Sequence, residues 1–321
     1  MDFTDFDRVV IEGLSPERIK AIKESLLTFE RMDFSLLTGA QLTGLQKIMN
    51  DLRIFTPNVL IEVPINDLVR VTKNPVGADG HGSRIHQISR LKYPPEGKVT
   101  IEMGRANFPG HSVLYASFFG LTSLREMRIE PGDLVTRTEW RMVTYLDRVK
   151  TTCIFHDARI LERLPHFQDF NGSYRSMLAT RSPLEVEIIE AVSGFAARQF
   201  IKKVPPDKKV NYLLSAFISN LLLNDNKLDA IIYPSVQVDL LDACIAMRPD
   251  VFDHLFYPVR STELIINSAS YAEKTAIATE FDKETNTIRW DARKSYNEEQ
   301  LAAFQKQRAE ERRAQERSGS G

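Results

Sequence analysis

The run Ala230-Ile231-Ile232-Tyr233-Pro234-Ser235 most narrows what this chain can fold into. It is a compact, nearly unbroken apolar segment stopped by proline, the pattern of a short buried strand. Upstream, Ser182-Pro183-Leu184-Glu185 supplies an N-cap, a proline for the first helical turn and a capping-box carboxylate in that order. Ile188, Ile189, Val192 and Phe195 follow on one face, so the spacing predicts a helix over 182 to about 202. Val210 to Leu223 predicts another, ending near Asn224-Asp225-Asn226. Strand and helix signals are mixed along the chain, and the expected fold class is α+β.

At the start, Ser15-Pro16-Glu17 opens a helix carrying Ile19, Ile22, Leu26 and Leu27. Thr38-Gly39-Ala40-Gln41 leads into a second, with Leu42, Leu45, Ile48, Met49 and Leu52. From Asn58 the pattern turns β-rich at Val59 to Pro64 and at Leu68-Val69-Arg70-Val71, followed by a loop from Gly77 to Gly82. Val113 to Ala116 reads as a buried strand, Leu121 to Arg128 as a helix, and Leu134 to Thr138 and Trp140 to Leu146 as further strands. Near the end, Thr275 to Phe281 and Thr285 to Trp290 flank a hairpin turn, and Ser295-x-x-Glu298 caps a charged helix with Leu301 and Phe304 as its large apolar anchors. The expected division is a helical N-terminal extension (1–58), a core domain (59–265) and a C-terminal hairpin with a charged helical tail (266–321).

Composition limits the functions open to such a fold. With 43% hydrophobic and 26% charged residues over 321 positions, the chain is neither wholly disordered nor a disulfide scaffold. Forty-two basic residues against 43 acidic ones leave a net charge of −1, which supplies no long-range field for nucleic acid or an anionic membrane. Direct DNA binding and membrane association are therefore not expected, and any anion must be held by local residues. The two cysteines, Cys153 and Cys244, suit a reducing compartment, and the acidic start lacks the basic and apolar regions of a secretory signal. A cytoplasmic location is expected.

The most informative stretch is Met103-Gly104-Arg105-Ala106-Asn107-Phe108-Pro109-Gly110-His111-Ser112-Val113-Leu114-Tyr115-Ala116-Ser117, followed by Leu121-Thr122-Ser123-Leu124-Arg125-Glu126. It resembles the core of the RES domain family, in which a Gly-Arg-x-Asn-x-x-Gly turn leads into a Leu-Tyr-x-Ala strand and a helix then delivers a glutamate. Asp229-Ala230-Ile231-Ile232-Tyr233-Pro234-Ser235-Val236 is similar to the family's terminal Gly-Ile-x-Tyr-Pro-Ser-Val strand, with Ala at the glycine position. Leu68-Val69-Arg70-Val71 is similar to its opening strand. The resemblance covers approximately residues 65 to 265. It departs at Cys244, where the family usually has asparagine, and in a longer loop between Arg70 and Arg105.

The resemblance implies an ADP-ribosyltransferase-like core of mixed small sheets and flanking helices, with NAD as substrate. It further implies a toxin-like enzyme that cleaves the nicotinamide–ribose bond by hydrolysis or phosphorolysis and is held inactive by a helix-turn-helix, Xre-like antitoxin. Two alternatives stand beside it: ADP-ribosyl transfer to a protein or nucleic acid, and a non-catalytic NAD-binding or scaffolding module. A homo-oligomer is compatible with all three.

The residues make chemical sense of that reading. Arg70, and with it Arg105, can bind the pyrophosphate bidentately. Glu126 is the carboxylate expected to stabilise an oxocarbenium-like ribosyl cation. Tyr115 offers an aromatic face, and Ser235 a hydroxyl for ribose or amide, making Glu126, Arg70 and Ser235 the expected catalytic set. Asn107 and Tyr233 complete the expected binding set. Plainer roles compete at each position. Arg70 alone reads as a strand-edge cation, Glu126 as part of a solvated charged face, Tyr115 as core packing, Ser235 as a strand terminator, and Arg105 and Asn107 as shapers of a turn. No metal is expected, because Cys153-x-x-His156 offers two ligands where zinc wants three or four.

Overall fold

The computed structural model describes residues 14–34, 60–78, 80–95, 103–154, 168–225, 228–268 and 271–318. In chain order its helices are α1 (Pro16–Arg31), α2 (Gly120–Glu126), α3 (Gln168–Ala179), α4 (Pro183–Ile201), α5 (Leu213–Asn220), α6 (Pro249–Leu255) and α7 (Glu298–Ser318). The strands are β1 (Ile61–Val63), β2 (Asp67–Lys73), β3 (Leu114–Ser117), β4 (Leu134–Met142), β5 (Val149–Cys153), β6 (Ala230–Pro234), β7 (Ala243–Met247), β8 (Phe256–Ser268), β9 (Tyr271–Asp282) and β10 (Thr287–Trp290). The fold is α+β. Two compact units alternate along the chain: Met1–Pro64, Glu96–Val113 and Arg148–Arg248 form one, and Ile65–Pro95, Leu114–Asp147 and Pro249–Gly321 form the other.

In the first unit the strands run in the order β1, β5, β6, β7. β5 and β6 are parallel, with Thr152 opposite Ile231, and β6 and β7 are antiparallel, with Tyr233 opposite Cys244. All of Ala230–Pro234 is buried, as expected for a strand covered on both faces. The capping box opening α4 forms as its sequence predicts: Glu185 N donates to Ser182 Oγ at 3.3 Å, and Ser182 N donates to Glu185 Oε2 at 2.7 Å. Ser15 caps α1 by accepting from Arg18 N at 3.2 Å. α1 is tied to α4 through Arg198 Nε and Glu30 Oε1 at 2.6 Å. The second expected N-terminal helix, residues 38 to 52, lies outside the described residues.

The helix expected over Val210 to Leu223 is three pieces: a 3-10 turn at Pro206–Tyr212, then α5, then a π turn at Leu221–Asp225. Leu221, Leu222 and Leu223 are all buried, and one α-helical face does not hold three consecutive leucines.

The second unit is built on antiparallel strands in the order β3, β2, β4, β8, β9, β10. Two strands were expected where β4 runs unbroken from Leu134 to Met142. Glu139 continues the strand, and the irregularity in its pairing with β8 is a bulge on β8, where Val259 is the extra residue. The hairpin of β9 and β10 forms around its expected turn. β8 carries no clean alternation, because Pro258 and the charged Glu263 break its apolar pattern.

Register assigns the faces of this sheet. Val71, Val135, Leu264 and Ile266 cluster with Leu124 and Met127, so α2 packs on that side. Leu134 and Ile265 cluster with Leu301 of α7 on the other.

Candidate anion-binding site

β2 pairs with β4 through Arg70 opposite Thr138 and Val71 opposite Arg137. Neighbours along a strand project to opposite faces, so Arg70 leaves β2 on the face of Thr138, away from the side on which α2 packs. On its other edge β2 registers with β3 at one pair, Val69 opposite Ser117. Nearby, Arg70 Nη1 donates to the main-chain oxygen of Tyr115 at 2.5 Å. The guanidinium thus marks the place where β2 and β3 are joined by this single rung.

Among the described residues no carboxylate pairs with Arg70, and its buried Nε has no hydrogen-bond partner. The side chain keeps some area open to solvent while protein crowds the guanidinium, and this desolvation lowers its pKa to about 10. Burial disfavours the charged form, the nearby Tyr115 offsets part of that cost, and among the described residues no carboxylate pairs with the guanidinium.

Tyr115 is half-buried on β3, and Glu126 is half-buried in the last turn of α2. α2 is fixed to β2 beside Arg70, since Ser123 Oγ donates to the Val69 carbonyl at 2.6 Å and lies 2.5 Å from Ser117 Oγ. Arg70, Tyr115 and Glu126 therefore share one unit and one short chain of contacts.

The other expected site residues belong to the first unit and have structural roles there. Arg105 donates through Nη1 to the Phe200 carbonyl and through Nη2 to that of Lys202 at 3.3 Å, and it lies 4.9 Å over the Tyr212 ring. It satisfies carbonyls that the end of α4 leaves open. Asn107 donates to the Phe108 carbonyl at 3.0 Å and closes the turn by accepting, at its own carbonyl, from Gly104 N at 3.0 Å. Tyr233 is buried, its ring 5.3 Å from that of Phe200.

Ser235 has no exposed surface. Its main chain accepts from Leu240 N at 3.0 Å and donates to Asp242 O at 2.8 Å. The turn beyond it holds Asp239 at φ +51° and Leu240 at φ +63°. Left-handed backbone at a bulky residue is uncommon and is strain held in place by the surrounding fold.

Sequence reasoning missed the charged centre of the second unit. Glu263, fully buried on β8, receives Arg84 Nη2 at 2.8 Å, Thr275 Oγ1 at 2.8 Å and Asn74 Nδ2 at 3.4 Å. Arg84 Nη1 also donates to the Tyr296 carbonyl at 2.7 Å. Its loop is held by Gln305, whose side-chain amide pairs with both the N–H and the carbonyl of Gly82, at 3.0 and 2.9 Å.

Among the described residues no group of three or more His, Cys, Asp or Glu is placed to hold a metal ion, and no helix is long and apolar enough to cross a membrane. Cys153 is buried and its thiol pKa is raised by desolvation, while His156 lies outside the described residues. No family model matches the chain, and no curated protein matches it.

Proposed function

We propose that the protein consumes NAD by breaking the bond between nicotinamide and ribose. The observation that carries this reading is Arg70, a crowded cation whose buried Nε has no hydrogen-bond partner and which pairs with no carboxylate among the described residues. The ordered motifs around Arg105, Tyr115, Glu126 and Ser235 supply the substrate class. Arg70 binds the diphosphate as a planar fork. Tyr115, on β3 beside the β2–β3 pairing, can pack against the nicotinamide ribose.

As the glycosidic bond breaks, its electron pair goes to the nicotinamide ring nitrogen and cancels the ring charge, and positive charge develops at the ribose. The Glu126 carboxylate stabilises that charge. A water or phosphate oxygen then bonds to the ribose carbon; water gives up a proton to solvent and yields ADP-ribose. Arg105, Asn107 and Tyr233 act here by building the scaffold, and Ser235 by holding its strained turn.

The test is incubation of the full chain with NAD, with and without phosphate, and resolution of the products by mass spectrometry. Nicotinamide with ADP-ribose, or with its phosphorylated form when phosphate is present, supports the reading. Intact NAD overturns it and favours a module that binds without turning over.

A further inference from the structure

The helix that carries Glu126 is too short to hold its own place. α2 has seven residues and no side-chain cap at Phe119, and so short a helix is marginal without tertiary contacts. Its anchors divide by face. Leu124 and Met127 pack on the cluster of Val71, Val135, Leu264 and Ile266, while Leu121 and Arg125 are exposed. Thr122 and Ser123 are buried on the remaining flank. Glu126 follows them by one helical turn, so it shares that flank and leaves α2 on the side turned toward the strands, where it is half-buried.

On this flank four oxygens stand in a row. The Val69 carbonyl lies 2.6 Å from Ser123 Oγ, Ser123 Oγ lies 2.5 Å from Ser117 Oγ, and Ser117 Oγ lies 2.7 Å from the Phe119 carbonyl. The row ties α2 to β2 at the residue before Arg70, and to β3 at the residue two beyond Tyr115. Ser117 and Tyr115 share a face of β3, because strand side chains alternate. Ser123 is the member that belongs to α2, and its hydroxyl meets both strands. Apolar packing at Leu124 and Met127 holds the helix down but is not directional, whereas a short hydrogen bond at the flank fixes how the helix is turned.

We infer that Ser123 is a positioning residue for Glu126: by bonding to the Val69 carbonyl and Ser117 together it sets the rotation of α2, and with it the place of the Glu126 carboxylate relative to the strand that bears Tyr115. Ser123 touches no reacting atom. The inference rests on the function proposed above, in which Glu126 stabilises the ribosyl cation, and that stabilisation depends on a carboxylate already aimed at the place where charge develops.

The test measures nicotinamide release from NAD by the full chain in wild type, Ser123→Ala, Glu126→Gln and the double variant. Ser123→Ala is expected to lower kcat about tenfold or more and leave KM within about twofold, since misplacing a catalytic group can cost up to about a hundredfold while no substrate contact is lost. Ser123→Cys, which keeps the shape and a weak donor, is expected to fall between the two, and it carries the test if Ser123→Ala does not fold. In the Glu126→Gln background Ser123→Ala should leave the residual rate nearly unchanged, because the group it positions has lost its charge. A serine that serves only the fold would lower the melting temperature without changing kcat, or would slow both backgrounds equally; either result overturns the inference and leaves the NAD-consuming reading standing. No nicotinamide release by wild type overturns that reading and the inference with it.

Discussion

Arg84 reaches Glu263 at 2.8 Å, with side chains 6% and 0% exposed, on the same sheet face from which Arg70 projects with no carboxylate partner among the described residues. One arginine is neutralised within the fold, and the other pairs with no carboxylate among the described residues.

Removing Arg84 should be severe. In Arg84→Met the Glu263 carboxylate remains buried without its cation, and stability should fall by about 3–5 kcal/mol. Denaturant unfolding of the single variant and of Arg84→Met/Glu263→Gln checks this, the second change being expected to restore part of the loss.

Gly82 is required for space. A Cβ there would lie 2.6 Å from Leu134 Cβ, so the backbone would have to move and take with it the paired contacts to Gln305. Gly82→Ala should cost about 1–3 kcal/mol, measured by the same unfolding transition.

Arg70→Met should leave the ligand-free protein at least as stable as wild type, because an uncompensated cation is replaced by an apolar chain of similar length. The sign with pH follows from desolvation lowering its pKa to about 10. Above that pH the folded protein holds fewer protons than the unfolded chain, so the penalty of Arg70 fades as pH rises. The stability advantage of Arg70→Met should be full at neutral pH and shrink above about pH 10; chemical denaturation at the two pH values measures it.

Much of the local structure was legible in the sequence, because it depends on neighbours in the chain. The caps Ser15 and Ser182, the apolar β6 run and the hairpin of β9 and β10 all announce themselves through short-range chemistry. β8 did not, since Glu263 is buried only because Arg84, far away in sequence, neutralises it. The break expected between Thr138 and Trp140 does not exist, because Glu139 keeps the alternation of β4 and the extra residue of the bulge, Val259, lies on β8. Within the candidate site, the types of Arg70 and Arg105 were equally suggestive. Only the structure shows that Arg105 is engaged with the end of α4 while Arg70 retains a free donor.

The most direct measurement is the rate of nicotinamide release from NAD by wild type and by Glu126→Gln, with the fold of each verified by circular dichroism. Glu126 is half-buried at the end of α2, so the isosteric change removes a charge and leaves the packing. The account predicts turnover by wild type and a loss of about a hundredfold or more in the variant, the scale of one electrostatic stabiliser of a transition state. Equal rates in the two folded proteins, or no release by wild type, would contradict it.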